Sequence, residues 1–293
     1  MKKLGIITDE GADLPSEIIE KNQIGVVSLK ANWPEVETLP GENIFQKMRE
    51  AEKRNIKTFA KTSQPSVKDF LDVFKENLGK FEEIICLTIT SKHSGTFNSA
   101  LQAKRFLGEK DGKRVFVIDS LNATGGLGLL VLKAVGSIER GKSRDDILKE
   151  LESLIPEIRL YALLEDPKWL EASGRISHNL SNWVRKFQKI GIRPLLGIKK
   201  GVIGAVGIKT GVKDMPAALF KELESKSKEL RSQGKKIQAV ITHGDNLNNA
   251  QKLKDIIEGE LKNTEVLFVN LVDDILGTIL GADTLILAWM PVD

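Results

Sequence analysis

The chain is poor in the residues from which most recognisable sites are made. It holds one cysteine in 293 residues, Cys86, set in the apolar run Ile84-Ile85-Cys86-Leu87. That excludes an intrachain disulfide and a thiolate metal cluster, and a small buried hydrophobe is the plain reading of the thiol. Three histidines, His93, His178 and His243, stand at spacings that suggest no metal site. Aromatics make up 5% of residues with a single tyrosine, which argues against a surface for stacking nucleic-acid bases. A net charge of +4 is likewise too small to imply nucleic acid as a partner. No apolar run approaches the length of a membrane span. Met1-Lys2-Lys3-Leu4 enters a strand-like segment without the apolar stretch of a secretory signal, so the expected compartment is the cytoplasm.

What is present is an ordinary globular composition, 41% hydrophobic and 29% charged, in a chain long enough for two modest domains. The first half alternates strand and helix patterns. Strands are predicted at 4–8, 24–29, 84–89 and 115–118, and helices at 16–22, 44–54, 66–78, 97–107 and 143–155, with an apolar helix after Thr124-Gly125-Gly126-Leu127-Gly128 that ends near Ile138. The stretch 31–40, with two prolines, reads as a loop or excursion. This order predicts an α/β fold with a largely parallel sheet flanked by helices, whose ligands gather beyond the carboxyl ends of the strands. Pro156 marks the expected boundary between a domain of residues 1–156 and one of residues 157–293. In the second part, strands at 192–198 and 202–208 flank Lys199-Lys200-Gly201, helices are expected at 216–233 and 247–261, and further strands at 237–242, 266–269 and 284–289. That pattern predicts an α+β domain with antiparallel pairing.

Two hydroxyl-rich segments are the most informative feature: Thr62-Ser63-Gln64-Pro65-Ser66 and Thr90-Ser91-Lys92-His93-Ser94-Gly95-Thr96. The second leads into a helix, so small hydroxyls and backbone N–H groups meet at a helix N-terminus, where the field favours an anion. Ser and Thr in such places are also routine helix caps, and the residues alone leave both readings open. Thr124-Gly125-Gly126-Leu127-Gly128 is not a dinucleotide fingerprint, since Val131 stands where the third glycine belongs. Residues 172–213 contain no Asp or Glu, yet carry Arg175, Arg185, Lys186, Lys189, Arg193, Lys199, Lys200, Lys209 and Lys213. Such a stretch reads either as a solvated basic face or as a docking surface for an acidic partner, a phosphate or an anionic membrane.

Taken together, these motifs resemble those of the DegV family of bacterial fatty-acid-binding proteins. The matching segments are Ile7-Thr8-Asp9 with Ala12-Asp13-Leu14-Pro15, Thr62 to Ser66, Ser94-Gly95-Thr96 with Ser99-Ala100, Val117-Ile118-Asp119-Ser120 with Gly126 and Gly128, and Gly174-Arg175-Ile176-Ser177. The resemblance implies two domains with one acyl chain enclosed in a tunnel between them, the second domain closing over it. It implies a long-chain fatty acid as ligand, no cofactor and no metal, with the carboxylate held by Thr62, Ser63, Ser94 and Gly95. It further implies a carrier, not an enzyme, that presents the carboxylate to a separate fatty acid kinase. Arg175, Arg185, Lys186 and Lys189 fall where docking to that kinase, or transient membrane contact, is expected. The chain departs from the family pattern at Ile279, which stands where members carry a histidine, at Glu10 in place of serine, and at Ser173 in place of glycine. The alternative reading is a small-molecule hydrolase or phosphotransferase using Ser94 and His93.

Overall fold

The computed structural model describes residues 2–190, 192–210 and 214–292. The chain divides into two units: Met1–Lys30, Ser63–Glu157 and Lys200–Val202 form the first, and Ala31–Thr62, Ile158–Lys199 and Ile203–Asp293 the second. The division after Glu157 adjoins the sequence-based boundary of 156 and 157. The excursion Ala31–Thr62 nevertheless belongs with the later part of the chain.

The chain opens with β1 (Lys2–Asp9), a 3-10 turn at Glu10–Ala12, α1 (Ser16–Asn22) and β2 (Gly25–Val27). The excursion follows, with β3 (Lys30–Asn32), α2 (Pro34–Glu37), α3 (Ile44–Lys53) and β4 (Lys61–Ser63). The stretch 31–40, read as a loop or excursion, carries short elements of its own. Pro34 does not break structure but starts α2 at its first turn, where the missing N–H costs nothing. Next come α4 (Val67–Leu78), β5 (Phe81–Thr88), α5 (Thr96–Phe106), α6 (Gly108–Gly112), β6 (Val115–Asp119), α7 (Thr124–Glu139) and α8 (Arg144–Leu154). The sheet of the first unit runs β2-β1-β5-β6, parallel throughout. A parallel sheet is covered on both faces, which is why Ile84, Ile85, Cys86 and Leu87 are all fully buried. On one face Ile7, Ile84, Cys86 and Val115 pack against Phe70 and Phe74 of α4, and Ala100 and Ala103 let α5 lie close. α7 packs against β1 and β5. Ser66 starts α4 with a reciprocal cap: its Oγ accepts from Asp69 N (3.1 Å) and Asp69 Oδ2 accepts from Ser66 N (2.7 Å).

The later chain holds β7 (Arg159–Leu163), α9 (Lys168–Ala172), α10 (His178–Lys189), β8 (Ile192–Lys199), β9 (Val202–Thr210) and α11 (Met215–Ser232). It ends with β10 (Lys236–His243), α12 (Leu247–Glu260), β11 (Thr264–Leu271), α13 (Asp274–Leu280) and β12 (Leu285–Val292). The six strands run β11-β10-β12-β7-β8-β9, parallel between β10 and β11 and antiparallel from β10 through β12 and β7 to β8. The core of this unit packs Leu285, Leu287 and Trp289 of β12 and the alternate β10 residues Ile237, Ala239 and Ile241 with Leu219 and Leu223 of α11 and Leu253 and Ile257 of α12. Arg49 of α3 fastens the excursion to this unit, bonding Asp245 (2.5 Å) and Asp283 (2.9 Å). β7, α9, α10 and α13 had no counterpart in the sequence reading. The signal for α10 was available: Ser177 caps it by accepting from Leu180 N at 3.2 Å, and Leu180, Val184 and Phe187 recur at helical spacing.

Candidate functional site

At the carboxyl ends of the parallel strands in the first unit, the acids Asp9 and Asp119 shape the loop that carries Ser94. Asp9, which ends β1, is fully buried. Its Oδ1 accepts from Gly11 N (3.0 Å) and its Oδ2 from Ile89 N (2.8 Å). Asp119, which ends β6, accepts from Ser91 N and Leu121 N, each at 3.1 Å. Thr90 N donates to Asn122 O at 2.8 Å. Asp9, Asp119 and Ser120 therefore act on backbone, and the buried Asp9 carboxylate is stabilised by N–H donors where water is excluded.

Beyond that anchorage the loop reaches Ser94 and Gly95. Ser94 Oγ lies 2.7 Å from Thr96 Oγ1 and accepts from Thr96 N at 3.3 Å. This hydroxyl partner has no basicity to activate a nucleophile, which counts against the hydrolase reading. Gly95 is the N-cap residue of α5 and brings no side-chain cap, and no acid occupies the first turn. Lys104 and Arg105 in the last turn complement the opposite end of the dipole. The field at the N-terminus is thus left for an anion to meet. Gly95 is needed for closeness: a Cβ there would stand 2.6 Å from Gln64 Nε2. Gln64 belongs to the other hydroxyl-rich segment, so within the first unit the two predicted loops meet where Gln64 packs on Gly95.

Thr62 falls in the second unit, and its environment is the main surprise. Arg175 Nη2 donates to Thr62 Oγ1 at 3.0 Å, while Nη1 donates to Ser173 O at 2.8 Å. The guanidinium is half-buried, and burial lowers its pKa from the ordinary value. Both partners are neutral oxygens. A threonine that accepts from a cation keeps its own O–H to donate, and the cation polarises it. The sequence reading placed Arg175 on a docking surface. Nothing local could have tied it to a residue 113 positions away.

The other docking candidates lie on α10. Arg185 bonds Glu171 Oε2 at 2.7 Å, and His178 Nδ1 meets the other oxygen of the same carboxylate. Glu171 stands one residue before the acid-free stretch, which is why the stretch looked wholly unpaired. Lys186 and Lys189 are exposed. Trp183 and Phe187 pack with tilted rings, centroids 4.7 Å apart, and Ile190 is 69% exposed. Lys213 and the side chains of Arg193 and Lys209 lie outside the described residues. Ile279, in place of the family histidine, is buried in α13.

A cavity of about 250 Å³ opens within the second unit beside Trp33, Val36 and Ile275. Glu37, Glu42 and Asp274 line it against the single cation Lys47, a charge balance that repels a carboxylate. Among the described residues no group of three His, Cys, Asp or Glu could hold a metal, and no helix is long and apolar enough to cross a membrane.

The family model described as "Uncharacterised protein, DegV family" matches residues 3–292. A DegV domain-containing protein of Clostridium acetobutylicum is 37% identical over 209 residues, 69% of this chain and 70% of that protein. A fatty acid-binding protein of Thermotoga maritima is 29% identical over 273 residues, 87% of this chain and 89% of that protein. A solved structure described as fatty acid binding of a DegV family protein from Thermus thermophilus matches with a TM-score of 0.82 at 25% identity. It covers 99% of this chain and 100% of that one. With a family model spanning almost its whole length, this chain belongs to the DegV family.

Proposed function

We propose that this protein binds a long-chain fatty acid and carries it without itself performing chemistry. The observation that carries the reading is the meeting of the two hydroxyl loops, Gln64 packed on Gly95, at a helix N-terminus with no acid of its own. The similarity to the Thermotoga and Thermus fatty-acid binders supports the same ligand class. We assign the carboxylate to the hydroxyls of Thr62, Ser63 and Ser94 and the backbone at Gly95, with Arg175 holding Thr62 in a donating state. Burying some 15 methylenes yields on the order of 12 kcal/mol gross, so a few hydrogen bonds suffice to orient the head. Calorimetry with a C16 to C18 acid tests the assignment. Thr62→Ala with Ser94→Ala should weaken binding by about 2–4 kcal/mol, the loss expected for two hydrogen bonds to a charged group. A double variant that binds like the wild type overturns it.

The reading extends to partners. Exposed Ile190, with half-buried Trp183 and Phe187 on the same helix beside Lys186 and Lys189, combines apolar and cationic groups as an anionic lipid surface requires, and we assign α10 to transient membrane contact. Lys186→Glu with Lys189→Glu should abolish co-sedimentation with vesicles containing phosphatidylglycerol while leaving fatty-acid affinity intact. Presentation of the carboxylate to a separate fatty acid kinase belongs to the same proposal. With Ile279 in place of the family histidine, acyl phosphate formation by loaded protein, ATP and kinase should be slow, and Ile279→His should raise it. The cytoplasm is the compartment this reading assigns, and cell fractionation tests it.

A further inference from the structure

The β8–β9 connection does something that neither the sheet nor the hydroxyl loops explain. The chain runs in the second unit to Lys199, gives three residues, Lys200–Val202, to the first unit, and returns to the second at Ile203. Lys200 and Gly201 both have positive φ, 51° and 82°, the pattern of a two-residue hairpin turn matched to strand twist. Gly201 is buried, although hairpin tips are ordinarily exposed. A Cβ on it would lie 2.7 Å from Thr90 Oγ1, 2.8 Å from Lys92 Cγ and 3.0 Å from Leu121 Cδ2. These residues belong to the Ser94 loop and to the loop beside it.

The contact is a hydrogen bond as well as a fit. Thr90 Oγ1 donates to Gly201 O at 3.0 Å and accepts from Lys92 N at 3.3 Å, so one buried hydroxyl joins the tip to the backbone that leads to Ser94. The anchors from Asp9, Asp119 and Asn122 all come from the sheet edge itself. The bond to Gly201 ties the loop to a segment 111 residues away. Without it, the Thr90 hydroxyl would be buried with its proton unspent, and the 91–95 segment would hang between Asp119 and α5.

We propose that the Lys200-Gly201 tip is a latch on the Ser94 loop, and that Thr90, as a positioning residue, sets through it how fast the bound acid leaves. The inference rests on the fatty-acid reading above for its ligand, while the latch itself rests only on the Thr90–Gly201 geometry. A head group held by a loop is released when the loop moves, so weakening the latch acts on dissociation more than on encounter.

The test uses Thr90→Val, which keeps the shape and removes the donor, Thr90→Ser, which restores it, and Gly201→Ala, which inserts a Cβ at a strained φ. Release of a fluorescent octadecanoic acid is followed by stopped flow, and amide exchange over residues 91–95 is measured in delipidated protein. Thr90→Val and Gly201→Ala should speed release about tenfold, the kinetic equivalent of about 1.4 kcal/mol from one hydrogen bond, with the association rate changed less. Exchange over 91–95 should quicken in both, and Thr90→Ser should return both readouts toward the wild type. A folded Thr90→Val protein with wild-type release and wild-type exchange overturns the latch, whatever Gly201→Ala does. If the wild type takes up no fatty acid, the proposed function fails and exchange alone decides: unchanged exchange over 91–95 in Thr90→Val then sinks the latch too.

Discussion

Asp9 illustrates why a motif must be read through its bonds. It is fully buried, and both carboxylate oxygens accept backbone N–H groups, from Gly11 and Ile89. An Asp→Asn change puts an NH₂ donor against one of those N–H groups. Asp9→Asn should therefore cost about 1–3 kcal/mol in urea unfolding, the penalty for a buried group left without its bond. At Arg175 a single substitution separates two roles. Arg175→Met should lower fatty-acid affinity about tenfold if the guanidinium serves Thr62, as one charge-assisted bond warrants. Unchanged affinity with lost kinase capture would return Arg175 to the docking role. The serines and threonines of the two loops stood out in the sequence because they are clustered. The arginine that orients one of them did not, since its partner is far off in the chain.

Among the elements, α7 and α8 are joined by a charged knot with a defined pH response. Glu150 of α8 accepts from Ser137 Oγ (2.7 Å) and pairs with Lys133 and Lys142, each at 2.9 Å. Burial alone would raise its pKa, but bonds from Lys133, Lys142 and Ser137 outweigh it and hold the carboxyl at about 2 against an ordinary 4.5. A folded-state pKa below the unfolded one gives stability that is complete above 4.5 and is lost as pH falls toward 2. Glu150→Gln should accordingly be less stable than the wild type at pH 6, and the gap in urea midpoint should narrow at pH 3. Ser66→Ala, which breaks the cap of α4, should cost about 1 kcal/mol at either pH. Caps of this kind were legible, as Ser66 was placed correctly at the start of its helix. α9 was not, because five residues are too few to show a period. α2 was hidden by prolines that mark turns as readily as helix starts.

For the molecule as a whole, a ligand that binds only folded protein raises stability by mass action, about 2.7 kcal/mol at a hundredfold excess over Kd. Delipidated protein should melt lower than protein as purified and recover when a C16 to C18 acid is added, whereas the Thr62→Ala, Ser94→Ala protein should recover less at the same concentration. A melting point indifferent to fatty acid would contradict the proposed function at this scale. By itself the sequence determined what short-range physics can specify: buried runs such as Ile84 to Leu87, strand and helix alternation, caps, and two clusters of small hydroxyls. Only the tertiary structure decided which distant groups complete them. It put Arg175 on Thr62, Gly201 under Thr90, and Arg49 between Asp245 and Asp283, across 113, 111, 196 and 234 positions of chain. A hydrogen bond across such a separation leaves no periodicity in the residues between its ends, so it becomes visible only once folding has brought the two groups together.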